Sequence, residues 1–287
     1  MLVHIRKIIQ AAEKGGYAVG AYNVNNLEGL LAVLNAAEEM KSPAIIQTTE
    51  GALKYAGLEE LASLIKAAAK EVSVPIALHL DHGHDYEIIK QCIDEGYSSV
   101  MIDASSSPYK ENVKLTKKVV AYAKKKRVWV QAELGTLEGA EDWINVKAGQ
   151  GYFTDPEQAR LFVKETKINT FAPSVGNYHG VTKIVQKKKL ELDLKRLKEI
   201  DKMVSVPLVL HGASGFPSDQ IKGAVKAGVR VINIDSDLRV AFARAERKFM
   251  ATHKDEYDPR KILTPAILAM QATAADKMKM FGSKGKA

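Results

Sequence analysis

Eight short apolar runs recur along this chain with helical patterns between them, and that alternation constrains the fold more than any other feature. The runs are AVGAYN (18–23), AIIQTT (44–49), VPIALHL (74–80), SSVMID (98–103), VWVQAE (128–133), NTFAPSV (169–175), VPLVLH (206–211) and VRVINID (229–235). Between them, stretches such as LEGLLAVLNAAEEM, LEELASLIKAAAKEV and NVKLTKKVVAYAKKK repeat their apolar residues with the period of an α-helix. Strict strand–helix alternation implies a parallel sheet, because each parallel connection needs a crossover. Eight such units predict an α/β chain folded as a single (β/α)8 TIM barrel over residues 1–287, with an extra C-terminal helix at 265–281. No stretch resembles a linker. The glycine-rich segment 135–156 reads as a mobile loop, and a second is expected at about 176–189.

A hydrophobic share of 46% and a charged share of 26% suit a chain that buries a real core. No apolar run approaches the roughly 20 residues that cross a bilayer. The opening MLVHIRKIIQAAEKGG reads as an amphipathic helix rather than a secretion signal. The single cysteine, Cys92, excludes an internal disulfide and a cysteine-cage metal site, so a reducing, cytoplasmic location is expected. Its place in the helical pattern IIKQCIDEG marks it as core. The formal charge of +8 suits an anionic ligand. The basic runs 124–127 and 187–189 carry no interleaved aromatic residues, so neither nucleic acid nor a membrane is an expected partner.

Chemistry gathers at the strand ends. HLDHGHD (79–85) puts three histidines and two aspartates in seven residues directly after an apolar run. A turn needs none of that, whereas a metal site or a proton transfer does. Polar residues close the other runs too: Asn23, Thr48 and Thr49, Asp103, Glu133, Asn177 and His179, His211, Asn233 and Asp235. Barrels of this type gather those ends at one rim, where their active sites lie. His82, His179 and His211 follow the third, sixth and seventh runs and can converge there. Three neutral imidazoles with an open position make a catalytic zinc site. His4, His84 and His253 fall on helices or in a turn and read as surface residues; His79 stays ambiguous, able to point into the barrel.

HGASG (211–215) follows the seventh run, and NIDSD (233–237) follows the eighth and starts a helix. Loops there form the usual phosphate cradle, with backbone N–H groups, the hydroxyls of Ser214 and Ser236, and a helix N-terminus. Ser236 or Asp237 can equally cap that helix. None of the eight ends carries a lysine, so Schiff-base chemistry has no nucleophile and a metal must supply the electrophile. Asp81, beside His82, can move protons. Asp103 and Glu133 can support a metal-bound histidine or cap the chain, and Glu141 in the glycine-rich loop can reach a closed site.

Together YAVGAYNVNNLE, HLDHG, VMIDAS, QAELG, APSVGNYHG, VLHGASG, NIDSDLRVAF and DEYDPRKILTPA span essentially the whole chain. In that order and spacing they resemble the class II, metal-dependent fructose-bisphosphate aldolases and their relatives acting on tagatose 1,6-bisphosphate. The resemblance implies reversible aldol cleavage, with Zn2+ held by His82, His179 and His211 and a second metal position near Asp103 and Glu133. It implies Asp81 and Glu141 as the catalytic acids and bases. Asn23 and Asn233 would contact the substrate, Gly180, Gly212, Ser214, Asp235 and Ser236 would bind its dihydroxyacetone-phosphate end, and Thr49 and Arg260 its other phosphate, Arg260 from a neighbouring subunit. A homodimer or homotetramer acting on sugar bisphosphate and triose phosphates is expected, with Na+ or K+ as an accessory ion. The chain departs from the common pattern at Asn177-Tyr178, at Ala213 and at Ser236. Ala213 would matter if its position needed a positive φ. A metal-dependent hydrolase or epimerase barrel is the rival reading, but this chain has no His-x-His pair on strand one; a barrel kept only as a scaffold would not retain the ligand set.

Overall fold

The computed structural model describes residues 1–141, 144–146, 151–180 and 191–287, with the backbone alone at 138–141 and 144–146. The chain starts with a helix, Ile5–Gly15, and continues into strands β1 (Val19–Asn23), β2 (Ala44–Thr49), β3 (Ile76–Gly83), β4 (Ser99–Ile102) and β5 (Trp129–Leu134). Then come β6 (Glu138–Glu141), β7 (Ile144–Val146), β8 (Thr170–Pro173), β9 (Tyr178–His179), β10 (Leu208–Leu210) and β11 (Val229–Ile234). Eight of these close into a parallel barrel in the order β1-β11-β10-β8-β5-β4-β3-β2. The expected (β/α)8 architecture is the one found.

Strand periodicity sorts the barrel into two cores. Tyr22, Ile46, Leu78, Leu80, Ile102, Ala132 and Ile232 face the helix layer. Val19, Ala21, Ile45, Ala77, Ala172, Val209 and Val231 face inward and meet Ile5, Ile8, Ile9 and Ala12 of the first helix. That helix therefore plugs the base of the barrel. Each fully buried isoleucine contributes about 1.5–3 kcal/mol, which explains why so short a helix is held firmly. His4 caps it by accepting the Arg6 N–H.

Higher up, the inward positions turn polar: Asn23, Gln47, His79, Asp81, Gln131, Glu133, His211 and Asn233 follow the apolar ones two residues at a time and are all buried. The sequence itself thus grades each strand from apolar base to polar rim.

Three features depart most from the sequence expectation. β3 runs to Gly83 instead of ending at residue 80, because Asp81 still pairs with Thr49 of β2 while the register against β4 shifts between Leu80 and Gly83. The C-terminal helix, Pro259–Phe281, starts six residues before 265. Asp258 caps it by accepting the Arg260 N–H at 3.0 Å, so Pro259 takes the first-turn place and Pro265 falls inside. Where a loop is expected at 135–156, β6 and β7 form a hairpin, and β9 adds to it in parallel through Glu138↔Tyr178 and Gly139↔His179. No helix among the described residues is long and apolar enough to cross a membrane.

Candidate active site

The bulge in β3 brings the HLDHG residues to the rim. Strict alternation would send Asp81 and His82 to opposite faces of the sheet. Instead His82 takes a left-handed conformation at φ 46°, and both side chains line one cavity. That geometry costs a residue with a Cβ about 1–2 kcal/mol. Its side chain is then fixed by a 2.7 Å hydrogen bond from Nδ1 to Asp103 Oδ2.

Asp81 is held from three sides. Its Oδ2 accepts from Asn23 Nδ2 at 2.9 Å and from Gln47 Nε2 at 3.2 Å, and its Oδ1 accepts from Asn233 Nδ2 at 3.0 Å. Gln47 also donates to Asn23 Oδ1 at 2.6 Å, which ties β1, β2 and β3 together beneath the carboxylate. The acid is oriented toward His82, whose Nε2 lies 3.9 Å away.

The three histidines meet in the same place. Ring centroids of His82 lie 4.7 Å from His211 and 5.2 Å from His179, and those of His179 and His211 lie 6.4 Å apart. His82 Nε2 and His211 Nδ1 approach to 2.9 Å. Gln131 places its amide nitrogen 2.6 Å from the far nitrogen of His211. Burial opposes charging of His82, but the charge of Asp81, the hydrogen bond and charge of Asp103, and Glu133 outweigh it and push its pKa up to about 10. Burial and then the His82 charge hold His211 well below the ordinary histidine range. The same two causes lower His79 to about 3, and it sits inside the barrel with Nδ1 on Ser99 Oγ at 2.9 Å. Burial tends to raise the Asp103 pKa, but His82 more than offsets it, while burial and the Asp103 charge raise Glu133 well above the usual carboxylate range. His82 Nε2 and His211 Nδ1 thus face each other beside the Asp81 carboxylate.

That donor set fits a cation. Atoms of Asp81, His82 and His211 lie within 4.8 Å of one another, and so do those of His82, Asp103 and Glu133. Glu133 Oε2 is buried and, among the described residues, makes no hydrogen bond. Asp103 fixes the His82 tautomer that leaves Nε2 for a metal. Asp103→Ala should weaken divalent-metal affinity about 10- to 100-fold, read by chelator competition. Unchanged affinity would remove that role.

Next to the histidines the cavity is walled by loop backbone and hydroxyl groups. Gly180, Gly212, Ala213, Ser214, Asp235 and Ser236 line the cavity, with Ser236 opening the helix Ser236–Thr252. Gly212 has φ 58°, and a Cβ there would meet the Tyr178 backbone at 2.5–2.7 Å. Gly212→Ala should therefore lower stability by about 2 kcal/mol or more. Its denaturant midpoint is the measurement, and a wild-type value would contradict the crowding. Ala213 is not among the positive-φ residues, so its replacement of glycine costs no backbone strain. Asn177 is structural: Oδ1 accepts from the Val175 N–H at 2.8 Å and Nδ2 donates to the His211 carbonyl at 3.0 Å.

A sequence model described as fructose-bisphosphate aldolase class-II matches residues 3–286. The fructose-bisphosphate aldolase of Geobacillus stearothermophilus is 42% identical over 290 residues, covering 100% of this chain and 99% of the relative. The chain belongs to the class II fructose-bisphosphate aldolase family. Solved aldolases share its fold. The YdjI aldolase from Escherichia coli K12 matches with a TM-score of 0.87 at 35% identity, covering 100% of both chains. A putative fructose-1,6-biphosphate aldolase from Coccidioides immitis gives 0.90 at 34% identity, covering 99% of this chain and 97% of the other.

Two expected substrate contacts of this aldolase, Thr49 and Arg260, do not line the cavity of their own chain. Thr49 is buried, and its hydroxyl caps the helix Glu50–Ala56 by accepting the Ala52 N–H. Arg260, with a side chain 89% exposed, pairs with Asp258 at 2.8 Å. The backbone of Glu141 ends β6, and its side chain lies outside the described residues, as does the stretch 181–190 of the second expected loop. Gln47 and Gln131 were missed by reading strand ends alone; their inward parity with Thr49 and Glu133 was the available signal. His84 turns its Nδ1 to the Asp103 carbonyl at 3.0 Å, and Cys92 is core. Among the described residues lining the cavity none is lysine, in keeping with a metal-dependent aldolase.

Proposed function

We propose that this aldolase cleaves D-fructose 1,6-bisphosphate reversibly to dihydroxyacetone phosphate and glyceraldehyde 3-phosphate, in the cytoplasm, as a step of glycolysis and gluconeogenesis. The observation that carries the reading is the position of Asp81, an acid locked by three amides between a histidine cluster and a phosphate cradle. His82, His179 and His211 would hold the metal, and the nitrogen-rich set favours zinc. The metal supplies Lewis-acid polarisation of the substrate ketone.

Asp81 takes the proton of the C4 hydroxyl as the C3–C4 bond breaks, which turns C4 into the aldehyde carbon. The electron pair stays with C3, and Glu141 delivers a proton there to release dihydroxyacetone phosphate; condensation runs both transfers backward. Asn23 and Asn233 hold Asp81 and present their remaining polar atoms to the sugar. Gly180, Gly212, Ser214 and Ser236 take the near phosphate, helped by the positive end of the Ser236–Thr252 helix. Thr49 and Arg260 serve the far phosphate, with Arg260 reaching it from a neighbouring subunit of a homodimer or homotetramer. Its full exposure next to exposed Tyr257 supports that reach.

Cleavage of fructose 1,6-bisphosphate, with the tagatose epimer alongside and sedimentation of the same sample, tests the whole reading. Faster cleavage of the tagatose epimer would reassign the substrate, and no cleavage of either by metal-loaded protein would overturn the activity.

A further inference from the structure

Behind the phosphate-facing loop a lysine of the C-terminal helix meets an acid. Lys277 has a side chain only 11% exposed, and its Nζ lies 2.5 Å from Asp237 Oδ2. That same oxygen accepts the Gly215 N–H at 3.1 Å, while the Asp237 N–H donates to Ser214 Oγ at 3.3 Å. Asp237 is the second residue of the Ser236–Thr252 helix, and its neighbours Ser214 and Ser236 line the cavity. Asp237 thus stitches the end of the 211–215 loop to the helix whose N-terminus faces the anion.

The arrangement has an electrostatic difficulty. A carboxylate one residue away from an anion cradle repels a phosphate dianion, and the Asp237 side chain is only 20% exposed. Lysine is almost never buried unless paired, and an apolar residue of equal volume would fill the space more cheaply. We infer that Lys277 is a positioning residue for substrate phosphate: it neutralises Asp237, so that the acid can brace the Gly215 end of the loop without opposing the dianion. Lys277 never touches the sugar. It acts through Asp237, and it makes the C-terminal helix part of the phosphate site.

The inference rests on the bisphosphate reading, and the test separates the two. KM and kcat for fructose 1,6-bisphosphate, and the Kd of dihydroxyacetone phosphate, would be measured on metal-loaded full-length protein. Lys277→Met keeps the stem and removes the charge, and should raise KM and Kd about tenfold or more while kcat stays within about threefold. Adding Asp237→Asn, which keeps an acceptor for Gly215 but drops the charge, should return both constants to within about threefold of wild type. Wild-type constants in Lys277→Met, or a double variant weaker than the single, would overturn the inference. If Lys277→Met does not fold, Asp237→Asn alone decides: it leaves Lys277 uncompensated beside the dianion, so Kd should hold or fall, and a tenfold rise would overturn the idea. Wild-type protein that neither cleaves the bisphosphate nor binds dihydroxyacetone phosphate would instead remove the bisphosphate reading itself.

Discussion

Asp81→Ala should lower kcat by about 10²- to 10⁴-fold, the span set by losing one positioned proton carrier. Bound metal should remain, because the three histidines and Asp103 are untouched by the change. The truncation leaves the amides of Asn23, Gln47 and Asn233 without their common acceptor, at about 1–3 kcal/mol for a buried group that finds no substitute. Asn23, Gln47 and Asn233 are all buried, so the loss of stability should fall within that range. Metal content, melting temperature and kcat measured on the same preparation keep those effects apart. A variant with full metal and near-normal kcat would remove Asp81 from the reaction. Loss of metal together with activity would recast it as a ligand, a role its place within 4.8 Å of the His82 and His211 nitrogens permits.

Removing divalent metal should cost at least as much as losing a single acid. Among the described residues the cavity lining offers no lysine for an iminium, and His82 and His211 have no electrophile of their own to present. Chelation should therefore abolish cleavage to below detection, on the order of 10³-fold or more, and zinc should restore it. Treatment with borohydride in the presence of substrate should leave activity intact. Cleavage that survives chelation and is trapped by borohydride would point to a lysine outside the cavity described above.

How much of this could be read from residues alone depends on what each feature obeys. Barrel strands obey local periodicity, so all eight were legible, and so was the convergence of His82, His179 and His211 at one rim. Features set by departures from periodicity were not. Nothing in HLDHG announces that His82 adopts a positive φ or that β3 slips against β4; both come from tertiary pairing. Strand β6 has a glycine and two glutamates where strands usually have β-branched residues, and pairing with β7 and β9 overrides that bias. The proline at 265 drew the expected helix start six residues too late, because a proline signal competes with the Asp258-Pro259 cap. Lys277 sits in an unremarkable helical pattern, and only packing turns it toward Asp237.

The placement of His179 on β9 has a thermodynamic corollary. His82 and His211 belong to the barrel strands or their immediate ends, whereas His179 is carried by a strand paired to Gly139 of a small satellite sheet. Whatever binds all three histidines clasps that sheet to the barrel, so capturing the ion and ordering the rim become one cooperative event. Stripped of its ion, the rim would open at a free energy well below that of the whole barrel. The catalytic centre would then come apart while the eight-stranded wall beneath it still stood.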